Sequence, residues 1–206
     1  MTAALLAAVL AADPEPGFVP LFNGTDLSGW KASVKAGQEN PFSVRDGVID
    51  VAGKGAKLYS ADAYQDFELR LDFRFVDKAS DSGVFVRVAP GSGYQVQTKP
   101  HASVKGLAEF RSSKTETFDR VHDVAAVKKV MRPVGEWQTY AILVRGPHAE
   151  VWLNGEKVCT ADGLKATGAG AVGLQAEYGH LQYRNLRIKP LPPEALAELG
   201  VRKQQL

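Results

Sequence analysis

The sequence predicts an all-β protein in which many short antiparallel strands form a sandwich or jelly roll. Strand-like segments separated by turn residues run from Phe18 to Leu191, and no long stretch shows helical periodicity. Asn154–Gly155 lies between two such segments and is a strong signal for a two-residue hairpin turn. The predicted strands are Ser43–Val51, Lys57–Ser60, Phe67–Val76, Gly83–Val88, Tyr94–Thr98, Trp137–Arg145, Glu150–Leu153, Glu156–Thr160, Ala171–Ala176 and Leu181–Lys189.

The segment Phe67–Phe75 shows the strand pattern most clearly. Its odd positions are all apolar, and its even positions carry Glu68, Arg70, Asp72 and Arg74. Because successive side chains of a strand point to opposite faces, one face is apolar and the other is charged. The charged row is either a salt-bridged outer surface or the floor of a polar groove, and the alternation alone leaves both interpretations open.

Residues 101–133 depart from this pattern, since they are charged and show no clear alternation. A loop of such length inside a compact domain is uncommon unless it is functional or carries small elements of its own. Within it, Val124–Met131 is predicted to form a short helix.

The two ends of the chain differ from the main domain, which is predicted at 18–191. Ala3–Ala12 is apolar throughout and is followed by Asp13–Pro14, which predicts a signal peptide at 1–12 and a secreted or periplasmic location. The positively charged start of a signal is absent, so a short disordered or helical tail is the alternative. Residues 192–206 are predicted to form an exposed C-terminal tail.

Composition excludes several classes of function. The net charge is only +2, and no cluster of Lys and Arg with interleaved aromatic residues indicates a nucleic-acid partner. No segment predicts a membrane span, and the lone Cys159 permits no intrachain disulfide. The histidines are scattered without metal-ligand spacing, so we expect neither a metal site nor a cofactor. Among them, His180 has the strongest case for a site because it adjoins the last strand near Glu177.

Carboxylates are the better candidates for chemistry, because glycosidic-bond cleavage commonly uses two carboxyl groups that face each other. Glu68 and Asp72 share one face of a strand, but at ~3.3 Å per residue they are about 13 Å apart, too far for a close pair. Glu68 with Glu177 from another strand stays open. Arg87 shares its face with Phe85, and a guanidinium there is costly unless paired, so we expect it to pair with Glu68 or Asp72. The alternative to a functional role is that this cross-strand ion pair simply covers the sheet.

The three tryptophans offer aromatic faces on which sugars can stack. Trp137 and Trp152 lie in alternating strands, which favours the core for both. Trp30 lies in a loop and is predicted to plug an edge of the sandwich.

Seven motifs occur in an order that resembles the 3-keto-disaccharide hydrolase family. They are LFNGTDLSGW, YQDFELRLDFRF, SGVFVRV, YQVQ, GEWQTY, VWLNGEKV and VGLQAEYGHLQYRNLRIKPL, and the resemblance spans residues 18–191. The resemblance implies a concanavalin A-like jelly-roll sandwich of two antiparallel sheets. It also implies a small carbohydrate substrate, oxidised at C3 of the sugar, whose glycosidic bond is cleaved after a proton is removed from C2. This chemistry requires a base and a group that stabilises the enolate oxygen.

The resemblance also implies site residues. Carried over by motif, they include Glu68 or Glu177 as the base and Arg87 as the group that stabilises the enolate oxygen. Further candidates for substrate binding are Asp72, Gln95, Gln97, Gln175 and His180. Gln95 stands where the family usually has Glu, so a non-catalytic carbohydrate-binding module is the alternative to an enzyme.

Overall fold

A computed structural model of the chain describes residues 15–100, 106–113 and 116–192. This part forms two antiparallel sheets and one short helix, which confirms the predicted all-β jelly-roll sandwich. None of its helices is long and apolar enough to cross a membrane. The predicted signal peptide at 1–12 lies outside the described residues, as does the predicted tail from residue 193 onward.

The elements follow one another in chain order. They are β1 (Val19–Pro20), β2 (Trp30–Ser33), β3 (Phe42–Arg45), β4 (Val48–Ala52), β5 (Ala56–Tyr64), β6 (Phe67–Phe75), β7 (Ser82–Ala89), β8 (Ser92–Thr98), β9 (Phe110–Ser112), β10 (Asp119–His122), α1 (Val124–Val130), β11 (Gln138–Arg145), β12 (His148–Leu153), β13 (Glu156–Asp162), β14 (Gly170–Ala176) and β15 (His180–Pro190).

The strands divide into a large and a small sheet that pack face to face. The large sheet has nine strands in the order β10-β13-β12-β11-β6-β15-β4-β3, with β1 also paired to β15. The small sheet has six strands in the order β2-β5-β14-β7-β8-β9. Some strands that follow each other in the chain, such as β6 and β7, therefore lie in different sheets.

The core lies between the sheets, and β6 shows how the sequence builds it. Phe67, Leu69, Leu71, Phe73 and Phe75 are all buried, as their alternation predicts. The small sheet contributes the facing side chains of β7, β8 and β14, which are mostly aliphatic or aromatic. Burial of this many apolar side chains is the main source of stability in a sandwich.

Turn residues fix the hairpins. Asn154 and Gly155 both have positive φ and join β12 to β13, which confirms the predicted hairpin. Asp46 and Gly47 also have positive φ, and they divide the predicted strand Ser43–Val51 into the hairpin β3–β4. The prediction of one continuous strand there was wrong, because a left-handed pair turns the chain back on itself.

The middle segment carries small elements of its own. It contributes β9 to the edge of the small sheet and β10 to the edge of the large one. The short helix α1 follows, with the side chain of Asp123 accepting a hydrogen bond from the backbone N–H of Ala126 at its start. The structure thus confirms the predicted helix within one residue.

Candidate functional site

The charged row of β6 lies on the outer face of the large sheet, where neighbouring side chains pair with it. Arg70 binds Glu68 and Glu15, each at 2.6 Å. Asp72 accepts hydrogen bonds from Arg184 at 3.2 Å and from Asn185 at 2.7 Å. The row is therefore a paired outer surface, and the two carboxylates do not share a site with Arg87 or Gln97, which belong to the small sheet.

Arg87 is only 1% exposed and points into the interior of the sandwich. The pairing of β7 shifts register after Val86, and Arg87 takes a φ of +50°. This bulge turns the side chain away from the face that it would share with Phe85. Gly170 accommodates it, because a Cβ there would collide with the backbone of Arg87.

The partner of Arg87 is Asp66, not Glu68 or Asp72 as expected. Its Nη2 lies 2.6 Å from Asp66 Oδ1, and its Nη1 donates to the carbonyl oxygen of Gly146 at 2.7 Å. Burial lowers the pKa of Arg87, and the carboxylate of Asp66 opposes that shift. Arg87 thus links β7 to the segment before β6 and to the turn between β11 and β12. Because its side chain is buried, it does not reach a ligand on an outer face.

Three of the predicted residues come together on the outer face of the small sheet. Gln95 Nε2 donates to Gln175 Oε1 at 2.6 Å, and Gln175 Nε2 donates to Glu177 Oε2 at 2.9 Å. We call Gln95, Gln175 and Glu177 the amide relay. In this relay the neutral amide of Gln175 orients the exposed carboxylate of Glu177, and Gln95 in turn orients Gln175.

Two glycines make room for the relay and its neighbours. A Cβ at Gly83 would collide with the side chain of Gln95, and a Cβ at Gly173 would lie 2.6 Å from Cδ1 of Tyr59. Neither glycine has a positive φ, so space and not backbone conformation requires them. Because these two positions carry no side chain, the side chains of Gln95 and Tyr59 from adjacent strands can lie across them.

A second polar network lies beside the relay. Asp81 Oδ1 accepts a hydrogen bond from Gln97 Nε2 at 2.5 Å, and Asp81 Oδ2 lies 2.9 Å from Lys99 Nζ. The backbone N–H of Asp81 donates to the carbonyl of Tyr178, the residue after Glu177, which brings the two networks together. The hydrogen bond to Asp81 is the largest cause of the raised pKa of Lys99, so its ammonium is favoured at this site.

Asp81 and Lys99 were not predicted from the sequence, although the strand pattern contains them. Asp81, Gly83 and Phe85 are spaced two residues apart along the chain, and so are Gln95, Gln97 and Lys99. Extending the alternation of both strands by one step would have placed them on the same face.

His180 does not join this site. Gly179 has a φ of +84°, and the chain then enters β15 of the large sheet. There, His180 Nε2 lies 2.8 Å from Asp50 Oδ1. Burial alone would raise the pKa of Asp50, but the hydrogen bonds from His180 and Gln182 lower it overall. His180 was predicted to bind substrate near Glu177, but its side chain pairs with Asp50 in the large sheet, whereas Glu177 directly follows β14 of the small sheet.

Buried hydroxyl groups support the site from below. Ser82 Oγ donates to the carbonyl oxygen of Gln175 at 2.6 Å and lies 2.6 Å from the hydroxyl of Tyr183. The hydroxyl of Tyr140 donates to the carbonyl oxygen of Gln97 at 3.1 Å. Burial raises the pKa of both tyrosines, which keeps them neutral. Both belong to the large sheet, so the backbone under the relay is tied to the opposite side of the core.

No group of three His, Cys, Asp or Glu side chains suited to a metal ion occurs within the described parts of the chain. The arrangement instead offers an exposed carboxylate, an ammonium and several amides. Such groups can accept a proton, bind hydroxyl groups and stabilise a developing negative charge.

Comparison with solved structures supports the jelly-roll fold. A candidate glycosyl hydrolase from Parabacteroides distasonis is 22% identical, with a TM-score of 0.63 over 85% of this chain and 94% of that one. The carbohydrate-binding module CBM66 from Bacillus subtilis is 14% identical, with a TM-score of 0.60 over 78% of this chain and 95% of that one. A β-glucanase from Bacillus licheniformis is 11% identical, with a TM-score of 0.57 over 85% of this chain and 97% of that one. At these identities the likeness shows the fold alone.

A comparison with curated proteins finds no match. The family model described as the 3-keto-alpha-glucoside-1,2-lyase-like domain matches residues 17–189, which include every strand of both sheets except the last residue of β15. The chain therefore belongs to the 3-keto-disaccharide hydrolase family.

Proposed function

We propose that the protein cleaves the glycosidic bond of small 3-keto-glycosides at the outer face of the small sheet. The observation that carries this proposal is the amide relay, which orients the exposed carboxylate of Glu177 next to the Asp81–Lys99 pair. A carbohydrate-related function is supported by the family to which the chain belongs.

The reaction begins with removal of the proton from C2 of the oxidised sugar. The ketone at C3 acidifies this proton, because the electron pair of the C–H bond passes into an enolate. The enolate then expels the group at C1, which leaves with a proton and produces an enone. Addition of water to C1 and return of a proton to C2 complete a net hydrolysis, and omission of the water step makes the enzyme a lyase.

Each residue of the site has a defined part in this route. Glu177 is the base, since Gln175 holds its carboxylate without neutralising it. Lys99 stabilises the enolate oxygen at C3 through its ammonium group, whose raised pKa keeps it charged. Gln95 and Gln97 bind hydroxyl groups of the sugar. Of the two expected bases, Glu68 and Glu177, this proposal uses Glu177, and it gives the role expected for Arg87 to Lys99.

The test compares p-nitrophenyl α-glucoside with the same compound oxidised at C3. We expect release of nitrophenol from the 3-keto form alone, and we expect deuterium at C2 to slow that release. Equal cleavage of the unoxidised glycoside, or the same rate with hydrogen and deuterium at C2, would contradict elimination.

A second candidate function is carbohydrate binding without cleavage. It is favoured by the amide of Gln95, which stands where the family usually has a carboxylate. Domain 4 of the arabinanase AbnA from Geobacillus stearothermophilus, solved with arabinotriose, shows that a similar fold can hold an oligosaccharide (16% identity, TM-score 0.53). Calorimetric binding of 3-keto-glucoside with no release of its aglycone would support this candidate. The expected secreted or periplasmic location remains a proposal with either function.

A further inference from the structure

The outer face of the large sheet contains a depression that the proposed function does not use. Its volume is about 480 Å³, within the range of small-molecule sites. Its lining includes Glu68, Arg70, Thr139, Ala141, Trp152 and Arg187. It lies on the opposite side of the sandwich from the amide relay.

Side-chain size explains why the depression forms. In the pairing of the large sheet, Ala141 lies opposite Arg70 on one side and opposite Trp152 on the other. A single methyl group therefore stands between two long side chains that point outward from adjacent strands. The result is a trough with an indole on one side and a guanidinium on the other.

Trp152 differs from the second tryptophan on this face. Arg74 and Arg184 lie over the ring of Trp137 at 4.6 Å and 4.0 Å from its centroid. Within the described residues, no cation lies over the ring of Trp152, which instead lines the depression. Both tryptophans are partly exposed on the outer face, so the prediction that they belong to the core was wrong.

The charges around the depression balance one another. Arg70 binds Glu68 and Glu15, and Arg187 Nε lies 2.9 Å from Glu15 Oε2. These two acids and two guanidinium groups sum to zero, so the site does not favour a ligand of either sign. Within the described part, both contacts of the Glu68 carboxylate use Oε1, which leaves Oε2 to accept from a ligand hydroxyl.

We propose that this depression is a second carbohydrate site that binds a neutral sugar. The apolar face of a sugar ring packs on Trp152, and its hydroxyl groups bond to Glu68 and Thr139. A charged sugar is disfavoured, because it would have to break the pairing among Glu15, Arg70 and Arg187. The site holds glycan without cleaving it, so its existence does not depend on the function proposed for Glu177.

The experiment records the indole N–H signals of the Glu177→Gln variant by NMR, so that no turnover disturbs the titration. The chain has three tryptophans, and Trp137→Phe and Trp152→Phe assign their signals. The probes are neutral hexasaccharides of glucose, xylose, mannose and arabinose, with hexagalacturonate as the acidic comparison. We expect at least one neutral probe to shift the Trp152 signal and leave Trp137 unchanged, with about tenfold weaker binding in Trp152→Ala.

Trp137→Ala is the matched control, since it removes an indole from the same face outside the depression. Its affinity for the active probe should stay within about twofold of the parent, because Arg74 and Arg184 already occupy the ring. The proposal is overturned if no neutral probe moves the Trp152 signal. It is also overturned if hexagalacturonate binds more tightly than the neutral probes, or if Trp137→Ala weakens binding as much as Trp152→Ala.

Discussion

The outer faces of the two sheets are both polar, but they hold their carboxylates in different ways. On the large sheet, Glu68 and Asp72 are bound by the guanidinium groups of Arg70 and Arg184. On the small sheet, the recorded partner of Glu177 is the neutral amide of Gln175. A proton transferred to a carboxylate that pairs with an arginine removes the charge on which that ion pair depends, whereas Glu177 is oriented by a neutral amide and loses no such pair.

This difference teaches that density of charge is a poor guide to the reactive face. Exposed ion pairs contribute little to stability one at a time, and a ladder of them mainly covers a sheet. The small sheet instead combines amides and glycines with the exposed carboxylate of Glu177 and the Asp81–Lys99 pair, above a buried hydroxyl network. The hydrogen bonds of the amide relay can rearrange around a sugar without separating opposite charges.

The largest expected effect is the difference in kcat/KM between two variants, each of which replaces the acid of one face with an amide. Glu177→Gln should lower kcat/KM for a 3-keto-glucoside by about 10²- to 10⁴-fold, because it removes the base. Glu68→Gln is the matched change on the other face and should leave kcat/KM within about twofold. Steady-state kinetics with thermal unfolding of both variants measures this, and equal losses in the two variants would remove the distinction between the faces.

The buried pair offers a test of stability instead of turnover. Arg87→Met leaves Asp66 unpaired in the interior and should lower the free energy of unfolding by about 3–5 kcal/mol. Arg74→Gln, on the outer face of the large sheet, should cost at most about 1 kcal/mol. Urea denaturation gives both values.

Arg87→Met should retain kcat once folded, since Arg87 does not reach either outer face. Should Arg87→Met fail to fold, Asp66→Asn keeps the shape of the partner and supplies the same comparison. Loss of kcat in a stably folded variant would restore the direct role that the sequence suggested for Arg87.

A methyl group on the floor of the small sheet should disturb the amide relay. In Gly83→Ala the new Cβ collides with the side chain of Gln95, so that Gln175 loses its donor. We expect kcat/KM to fall by roughly tenfold, because displaced groups no longer meet the substrate. Gly168→Ala is the control, since nothing lies within 4 Å of the added Cβ. Unchanged kinetics in Gly83→Ala would mean that the relay does not orient Glu177.

The smallest effect concerns the link between the sheets. Tyr183→Phe removes the hydroxyl that meets Ser82, and it should lower the free energy of unfolding by about 1–3 kcal/mol. Because Ser82 also bonds to the backbone of Gln175, kcat should fall modestly while KM stays close to that of the parent protein. Amide exchange at Gln175 measured by NMR would report the loosened backbone, and unaltered exchange would limit Tyr183 to packing.

Much of the fold could be predicted from the sequence because it depends on local patterns. The alternation of Phe67–Phe75 predicts a strand with one buried face, and Asn154–Gly155 predicts a hairpin, and both are confirmed. The motifs for Gln95, Gln175 and Glu177 also supplied residues that the fold brings together.

The site itself depends on features that alternation does not encode. Arg87 was predicted to pair with Glu68 or Asp72 of the neighbouring strand, yet the jelly roll places those two strands in different sheets. The bulge after Val86 then reverses the direction of the Arg87 side chain. Long-range strand order and a local bulge both arise from packing of the whole sandwich, so a single segment does not predict them.

The most direct test of the central claim is a crystal structure of Glu177→Gln with a bound 3-keto-α-glucoside. We expect the keto sugar on the outer face of the small sheet, with C2 facing residue 177 and the oxygen at C3 within hydrogen-bond reach of Lys99. A keto sugar bound only against Glu68 on the large sheet would contradict the assignment of the reactive face.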